Sequence, residues 1–292
     1  MTKQFAIILD STSDLPEEYK EKYGFTVVPA HVIIGDKDYL DGVTMLRKEF
    51  IHELINSEEK ITSTQPSPLD FINAFTEALK TYDEVLYLAV SSGLSASYQN
   101  AVIASKRVDK EKITCIDSKS VTQAMTLMAI HASMRRDQGM ELKSVLEEIQ
   151  EMIPTNQLYF LVGDLEFLHR GGRIGKAKHV IGTLLNKKPL LYLDDGMINS
   201  LESVRGIDAG YEKIEEIITN HAQEYKNYAI AGLYGEDNPK FDELAESIKT
   251  KLKPLNYINN PLGPGVLCHT GPKVEGMSIV KIPDSAIDMY KK

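Results

Sequence analysis

The chain has 292 residues, of which 42% are hydrophobic and 26% are charged, and its formal net charge is −9. This composition is typical of a soluble globular protein with one large or two ordinary domains. The acidic balance argues against nucleic acid as a partner, because phosphate contacts need clustered lysine and arginine. No apolar run approaches the roughly 18 residues that a membrane span needs, so we expect no stable insertion into a membrane.

The N-terminal sequence and the cysteines bear on location and metal binding. Residues 1–10 run directly into an apolar strand and lack the long apolar core and cleavage site of a signal peptide. The two cysteines, Cys115 and Cys268, make no metal-binding pattern. We therefore expect a cytoplasmic protein with free thiols and no metal site.

Strands and helices alternate through the first half of the chain. The pattern predicts strands at Phe5–Leu9, within Thr26–Ile34, at Val85–Val90 and at Ile113–Ile116, with helices between them at Pro16–Tyr23, Met45–Asn56, Leu69–Tyr82 and Ser95–Val108, and then at Val121–Arg136 and Glu141–Met152. The polar, proline-containing stretch Ile61–Pro68 is predicted to be a loop. This alternation predicts a mostly parallel sheet covered by helices, an α/β/α domain over residues 1–153.

The second half, residues 154–292, has a different pattern. Strands are predicted at Leu158–Val162, Ala229–Leu233 and Ser278–Ile282, a hairpin at Pro189–Ser200, and helices at Asp164–His169, Ile207–Tyr225 and Pro239–Leu252. The stretch from Asn259 to Gly271 is rich in glycine and proline, and His269 is expected in an irregular part of it. The hairpin among strands and helices predicts a C-terminal α+β domain.

A turn of hydroxyl side chains follows the strand at Val85–Val90. Ser91, Ser92 and Ser95 surround Gly93, which lets backbone approach a guest closely, and a helix begins just after them. The free N–H groups of a helix N-terminus suit an anion. An ordinary serine N-cap explains the same residues.

Standard catalytic and nucleotide motifs are missing from the sequence. Gly263-Pro-Gly265 fails as a dinucleotide motif at the third glycine, and Gly175-Lys176 fails as a Walker motif. There is no H-E-x-x-H and no G-x-S-x-G. What remains is a set of hydroxyl and carboxyl clusters, three of which directly follow predicted strands. Ligands of open α/β sheets bind beyond such strand ends, although turn capping also places Ser and Asp there.

An ordered set of short motifs runs through the whole chain. They are Asp10-Ser-Thr-Ser-Asp14, Thr64-Gln-Pro-Ser67, Ser91-Ser-Gly-Leu-Ser95, Asp117-Ser-Lys-Ser120, Gly171-Gly-Arg-Ile174, Lys188-Pro189 and His269-Thr-Gly271. Each is weak alone, but in this order the chain resembles the DegV family. Members of that family resemble fatty-acid-binding proteins and, in many Gram-positive bacteria, serve as the acyl-carrying subunit of a fatty acid kinase that supplies phospholipid synthesis.

The resemblance implies a two-domain fold with one long-chain fatty acid between the domains. The ligand carboxylate would be held by hydroxyls and a histidine, which fall on Ser63 or its neighbour Thr64, on Ser95 and on His269. The arginine of the Gly-Gly-Arg motif is Arg173, expected near the mouth of the site. One departure affects the helix after Asp117-Ser118, where Gln123, Ala124 and Met125 replace the glycines common in the family, so the preferred acyl chain is expected to differ.

Burial of an acyl chain requires a long dry tunnel. A palmitate tail gains roughly 12 kcal/mol of transfer free energy at about 0.8 kcal/mol per methylene. Candidates to line the tunnel are Met125, Phe160, Leu165 and Ile181, each of which can equally be plain core. Arg170 and Arg173, with nearby lysines, form a basic patch. It suits docking of the kinase or of an acyl phosphate, or is simply a solvated helix end.

Three functions follow as hypotheses. In the first, the chain is not an enzyme and needs no cofactor; it binds a long-chain fatty acid and presents the carboxylate to a separate ATP-binding kinase, with at most transient membrane contact. In the second, it is a hydrolase of acyl esters or thioesters that uses Cys268, Cys115 or a turn serine with His269 and Asp117. In the third, it is a triose-binding subunit.

Overall fold

The computed structural model describes residues 4–180 and 187–291 of the chain. Its N-terminal half contains seven strands and six helices. The strands are β1 (Phe5–Asp10), β2 (Phe25–Val28), β3 (His31–Ile34), β4 (Lys37–Leu40), β5 (Ile61–Thr64), β6 (Glu84–Ala89) and β7 (Ile113–Asp117). The helices are α1 (Glu17–Tyr23), α2 (Arg47–Asn56), α3 (Pro68–Ala78), α4 (Ser97–Val108), α5 (Thr122–Asp137) and α6 (Leu142–Met152).

Four of these strands form a parallel sheet in the order β2-β1-β6-β7. Successive side chains of a strand point to opposite faces. In β1, Phe5, Ile7 and Leu9 therefore join the core on one face, while Ala6 and Ile8 join the core on the other, where α3 and α4 pack. Both faces are covered, which explains why β1 and β6 read as continuous apolar runs. The predicted parallel α/β arrangement is confirmed.

A small antiparallel sheet, β4-β3-β5, was only partly predicted from the sequence. The prediction of a loop across Ile61–Pro68 is wrong in its first half, because Ile61–Thr64 pairs with β3, with Ser63 opposite Val32. The strand is not predicted from the sequence because most of its residues are polar. Its stability comes from the backbone bonds that β3 provides, and its side chains are only half-buried or exposed.

In its described part, residues 154–180 and 187–291, the C-terminal half contains six further strands and five further helices. The strands are β8 (Gln157–Val162), β9 (Lys188–Asp194), β10 (Met197–Val204), β11 (Tyr228–Tyr234), β12 (Asn256–Pro261) and β13 (Val274–Lys281). The helices are α7 (Glu166–Arg170), α8 (Gly206–Tyr225), α9 (Pro239–Leu252), α10 (Pro264–Thr270) and α11 (Ile287–Tyr290).

The six strands form one mixed sheet in the order β10-β9-β8-β13-β11-β12. Only the β11–β12 pair is parallel. One face is covered by α8 and α9, whose apolar stripes include Ile214, Ile218 and Phe241. The predicted combination of an α/β half with a sheet-rich α+β half is therefore confirmed, and the predicted β9–β10 hairpin is present.

Helix α10 was not anticipated in the glycine- and proline-rich stretch near the end. Pro264 stands at its first turn, where a missing N–H costs nothing, and Gly271 ends it with a positive φ of 72°. The glycines and proline are thus the boundaries of a short helix. Consequently His269 lies on this helix and not in a loop.

The two halves meet around α5. Fourteen of its sixteen residues are buried, and it packs against β1 on one side and against β11, β12 and β13 on the other. Two hydrogen bonds also join the halves: Ser91 Oγ donates to the carbonyl of Gly196 at 2.7 Å, and Gly263 N–H donates to Asp14. Among the described residues, no helix combines the length and apolar character needed to cross a membrane.

Candidate functional site

Three separate elements bring Ser63, Ser95 and His269 to one cavity. Ser63 lies on β5 near its end. Ser95 lies in the turn between β6 and α4, and His269 lies in the last turn of α10. The loop after β5 is fastened to α4, because Asn100 Nδ2 donates to the carbonyl of Pro66 at 2.8 Å. The sheet pairing and this bond together fix where the Ser63 hydroxyl stands.

Ser63 and His269 are directly hydrogen-bonded, with 2.7 Å between Ser63 Oγ and His269 Nε2. Burial, and secondly the positive charge of Arg173, lowers the pKa of His269 to about 4, so the imidazole is neutral at pH 7. Within the described residues, the buried Nδ1 has no hydrogen-bond partner. It faces the backbone of Gly171 so closely that a Cβ there would lie 2.2 Å from Nδ1. Gly171 is therefore a glycine because the imidazole needs the space.

Arg173 stands beside this pair and is held by backbone carbonyls. Its Nε donates to Leu94 O at 3.0 Å and its Nη1 to Gly171 O at 2.6 Å. Leu94 belongs to the N-terminal half, so Arg173 also ties the halves together. Arg170, by contrast, is exposed and lies over the ring of Phe167 at 5.3 Å.

The other two predicted hydroxyls also line the cavity. Ser95 Oγ is 2.9 Å from Ser97 Oγ, a buried hydroxyl at the start of α4. Thr64 is the exposed last residue of β5 and forms part of the wall beside Ser63. The structure thus brings Ser63, Thr64, Ser95 and His269, together with Arg173, around one space.

The cavity lies between the two halves, and its walls are mostly apolar. Its empty volume is about 810 Å³, counting the open solvent at the mouth. Val90, Leu94 and Val121 line it from the N-terminal half. Phe160, Leu193, Leu233 and Val274 line it from the C-terminal half. A largely apolar ligand is the class that such walls favour.

The four residues predicted to line an acyl tunnel have different positions. Phe160 is in the cavity wall and is 5% exposed. Met125 is fully buried in the core on one face of the parallel sheet, because its position on α5 faces that core. Leu165 is half-buried and packs against the core behind the wall. Neither Met125 nor Leu165 is among the wall residues, and Ile181 lies outside the described residues.

A second pocket, which we call the outer pocket, is also lined by Ser63 and His269. Its walls share Ser63, Arg173 and His269 with the apolar cavity. They also include Lys60, Arg170 and Cys268, and Glu59 contributes one acidic side chain. The Ser63–His269 pair therefore borders both the apolar cavity and an outer pocket in which basic side chains outnumber acidic ones.

The residues of the hydrolase hypothesis are not assembled as a catalytic triad. Asp117 accepts hydrogen bonds from Ser92 and from the backbone of Lys119, and His269 is not among its partners. Burial raises the pKa of Cys268 to about 11 and that of Cys115 to about 12, so both thiols are protonated at pH 7. Cys115 lies on β7, half-buried against the core of the parallel sheet.

Sequence reasoning missed several wall residues. Leu193 and Ile198 come from the two strands of the β9–β10 hairpin, and Lys60 immediately precedes β5. No short motif marks these positions, because they reach the site only through sheet pairing. In residues 4–180 and 187–291, no group of three or more His, Cys, Asp or Glu side chains is arranged to hold a metal ion.

The chain is thus a two-half α/β protein whose apolar cavity ends at hydroxyl, imidazole and guanidinium groups, an arrangement typical of small-molecule-binding proteins. A family model described as "Uncharacterised protein, DegV family" matches residues 4–282. The chain belongs to the DegV family. Among curated relatives, a DegV domain-containing protein of Caldanaerobacter subterraneus is 30% identical over 275 residues, covering 94% of this chain and 98% of the relative. One of Staphylococcus aureus is 31% identical over 281 residues, covering 96% and 100%.

Solved structures match over nearly the whole chain as well. A DegV family protein from Thermus thermophilus, described by its fatty acid binding, is 31% identical with a TM-score of 0.90, covering 96% of this chain and 100% of that one. DegV from Bacillus subtilis, described as a fatty acid binding protein, is 26% identical with a TM-score of 0.87, covering 96% and 99%.

Proposed function

We propose that this chain binds a long-chain fatty acid in the cavity, with the carboxylate at Ser63, Thr64, Ser95 and His269. The observation that carries the proposal is the position of the Ser63–His269 pair, at the meeting point of an apolar cavity and a basic outer pocket. An amphiphile with one acidic end matches both spaces. The description of two relatives as fatty acid binding supports the same ligand class.

The head group is held by neutral donors in this proposal. We assign the proton of His269 to Nε2, because Nδ1 abuts the Gly171 backbone, where an N–H would find no acceptor among the described residues. Nε2–H then donates to Ser63 Oγ, so the Ser63 hydroxyl proton is not needed for the bond to His269 and can be donated to the carboxylate. Ser95 supplies a second hydroxyl. A buried carboxylate without such donors would cost several kcal/mol.

Arg173 adds positive potential without a bidentate ion pair. Two of its three nitrogens already donate to backbone carbonyls, so the guanidinium is not presented as a fork to the ligand. A carboxylate that is only hydrogen-bonded by neutral groups remains more nucleophilic than one clamped by arginine. This arrangement is suitable for a carboxylate that acts as a nucleophile.

The second part of the proposal is that a separate ATP-dependent fatty acid kinase acts on this carboxylate. A carboxylate oxygen would attack the γ-phosphorus of ATP, forming a P–O bond to give an acyl phosphate, and ADP would leave. The outer pocket provides the approach, and Lys60, Arg170 and Arg173 would attract the incoming phosphates and the charged product. In this division, the chain positions the acid and the partner supplies the nucleotide chemistry.

A hydrolase is the second candidate, and one observation favours it, since a serine and a histidine at 2.7 Å resemble a nucleophile and its base. Two features oppose it. A histidine whose pKa is about 4 is a weak base at pH 7, and no carboxylate orients Nδ1 within the described part of the chain. The mostly apolar walls also suit a triose poorly. We therefore propose a binding subunit that has no catalytic residue of its own.

The proposal also includes the domain organisation and the cellular location of the protein. We treat residues 1–153 and 154–292 as two domains with the ligand between them, in line with the separate sheets, which end at Asp117 and begin at Gln157. We also propose a cytoplasmic location, where a kinase with ATP would meet the loaded protein, and transient contact with the membrane as the source of the acid.

The test has two stages. The purified protein is extracted with organic solvent and the extract is analysed by mass spectrometry, where C14–C18 acids are expected. In the Ser95→Ala variant, acid content should fall while the melting temperature of the lipid-free protein stays nearly unchanged; unchanged acid content would remove Ser95 from the site. Loaded protein is then incubated with ATP and a purified fatty acid kinase, and acyl phosphate is trapped with hydroxylamine. Acyl ester turnover without any partner would favour the hydrolase.

A further inference from the structure

The Gly263-Pro-Gly265 stretch contacts two buried carboxyl groups of the N-terminal half. Gly263 N–H donates to Asp14 Oδ1 at 2.7 Å, and the Asp41 carboxyl lies against the backbone of Gly265, whose N–H lowers the pKa of that carboxyl. A Cβ on Gly265 would lie 2.6 Å from Asp41 Oδ2, so only a glycine admits this approach. Gly263-Pro-Gly265, which does not match a nucleotide-binding motif, is therefore the segment at the start of α10 that contacts Asp14 and Asp41.

The two carboxyls share a site that tolerates one negative charge better than two. Asp14 is 7% exposed and Asp41 is 4% exposed. Burial, and then the neighbouring Asp41, raises the pKa of Asp14 well above its usual range, while burial raises the pKa of Asp41 to about 6. In the described residues, Asp14 Oδ2 has no hydrogen-bond partner, so no donor compensates a negative charge on that oxygen.

The same helix that these carboxyls hold also carries His269. Helix α10 spans only Pro264–Thr270, roughly 10 Å at 1.5 Å per residue. A displacement of its first turn is therefore passed directly to its last turn, where His269 meets Ser63. The contact at Asp14 and Asp41 joins the two halves of the protein, because both residues belong to the N-terminal half and α10 to the C-terminal half.

We propose that Asp14 and Asp41 are positioning residues of the ligand site, which hold α10 so that His269 reaches Ser63 and release it when both carboxyls are ionised. The inference rests on the proposed function, since it assigns these carboxyls a role in the retention of the acid. Neither group touches the proposed ligand position. Their effect on binding passes through the helix.

Other charged groups around the pair are already engaged. Those that face it are Asp10 of β1, Glu17 and Lys20 of α1, Arg47 of α2 and Cys268 of α10. Asp10 accepts from Thr12, Tyr87 and the Val90 backbone. Glu17 pairs with Lys20, and Arg47 donates to Gly235 O and Asp237. In the described ranges no cation forms an ion pair with Asp14 or Asp41, so their mutual repulsion is not neutralised.

The experiment measures palmitate affinity between pH 6 and pH 9 on delipidated protein, by titration calorimetry. In the wild type the Kd should rise with pH, by up to about tenfold for each unit by which the closed junction raises the pKa of Asp14. Asp14→Asn should flatten this rise, because the amide stays neutral and its oxygen still accepts from Gly263. Asp41→Asn should flatten the rise as well, because only one ionisable carboxyl then remains at the junction. Asp36→Asn, at an exposed turn residue, is the control and should follow the wild type.

A second readout does not require ligand. The imidazole ¹⁵N resonances of His269 should move between pH 6 and pH 9 in the wild type and remain fixed in Asp14→Asn. Identical pH profiles in both proteins, in affinity and in the imidazole resonances, would overturn the inference. Absence of palmitate binding by the wild type at every pH would overturn the proposed function instead, and the resonances would still decide the inference. Circular dichroism checks that each variant folds; if Asp14→Asn does not, Asp41→Asn decides.

Discussion

Ser63 Oγ and His269 Nε2 lie 2.7 Å apart although 206 positions separate them in the chain. One residue is on a strand of the N-terminal half and the other is on a helix of the C-terminal half. The bond therefore exists only when the halves are correctly joined. It makes the end of the cavity a property of the whole fold and not of either half.

Loss of the Ser63 hydroxyl should weaken fatty acid binding directly. Hydrogen bonds to charged groups contribute about 1.5–3 kcal/mol, so Ser63→Ala should raise the Kd for palmitate roughly ten- to 150-fold. Titration calorimetry on delipidated protein measures this. Ser57→Ala is the matched control, because Ser57 lines the outer pocket but not the cavity. Equal Kd values for Ser63→Ala and the wild type would mean that this hydroxyl does not hold the carboxylate.

Replacement of two large apolar residues, Phe160 in the cavity wall and Met125 in the core, should have different effects. Phe160→Ala removes a side chain from the cavity wall and so enlarges the cavity. The fatty acids recovered from this variant should therefore shift towards longer or bulkier chains. Met125→Ala removes a fully buried side chain and should lower the free energy of unfolding by about 2–5 kcal/mol. The profile of bound acids in Met125→Ala should match the wild type. Urea denaturation and mass spectrometry of extracted acids check the pair, and a changed acid profile in Met125→Ala alone would contradict the assignment of the walls.

Acid should destabilise the lipid-free protein partly through His269. The pKa of this residue is about 4 in the folded state, because of burial and then Arg173, against an ordinary value of 6.5. The unfolded chain therefore binds the proton first as the pH falls. This contribution is fully present above pH 6.5 and is lost between there and pH 4, at a cost of about 3 kcal/mol. His269→Gln, which does not titrate, should lose less stability between pH 7 and pH 4 than the wild type does.

Urea denaturation at the two pH values measures the difference. His52→Gln, at an exposed position of α2, is the control and should behave as the wild type. The same loss in His269→Gln and in the wild type would show that His269 does not remain neutral in the fold.

Charge at the outer pocket should matter more for phosphorylation than for binding. Arg173→Glu reverses a charge that both the cavity and the outer pocket share, and should reduce acyl phosphate formation by a partner kinase by a larger factor than it reduces palmitate affinity. Lys178→Glu makes the same change at an exposed position along the same segment and serves as the control. Equal losses of phosphorylation and of affinity in Arg173→Glu would contradict a role towards the kinase.

Much of the fold can be predicted from the sequence, because the pattern of apolar residues in these segments matches the way they are buried. The parallel strands are continuous apolar runs, and α5 carries apolar residues on every side because two sheets enclose it. Strand β5 escaped prediction because its side chains are polar and its only reason to be extended is the neighbouring β3. Helix α10 escaped because the glycines that bound it read as a loop.

Less of the candidate site than of the fold can be predicted from the sequence. Local chemistry marks the hydroxyl turn at Ser91–Ser95, but nothing in the sequence around Ser63 or His269 says that they meet; the family resemblance alone brought them together. The positions of Asp14 and Asp41 against Gly263 and Gly265 depend on how the halves join, over more than 200 residues of chain. No spacing rule within one segment encodes such a contact.

The most direct test of the account is mass spectrometry of lipid extracted from the protein as purified, followed by palmitate titration of the stripped chain. We predict C14–C18 fatty acids close to one per chain, and one saturable palmitate site in the stripped protein that Ser63→Ala weakens. An extract without fatty acid, together with a stripped protein that does not bind palmitate, would contradict the central claim.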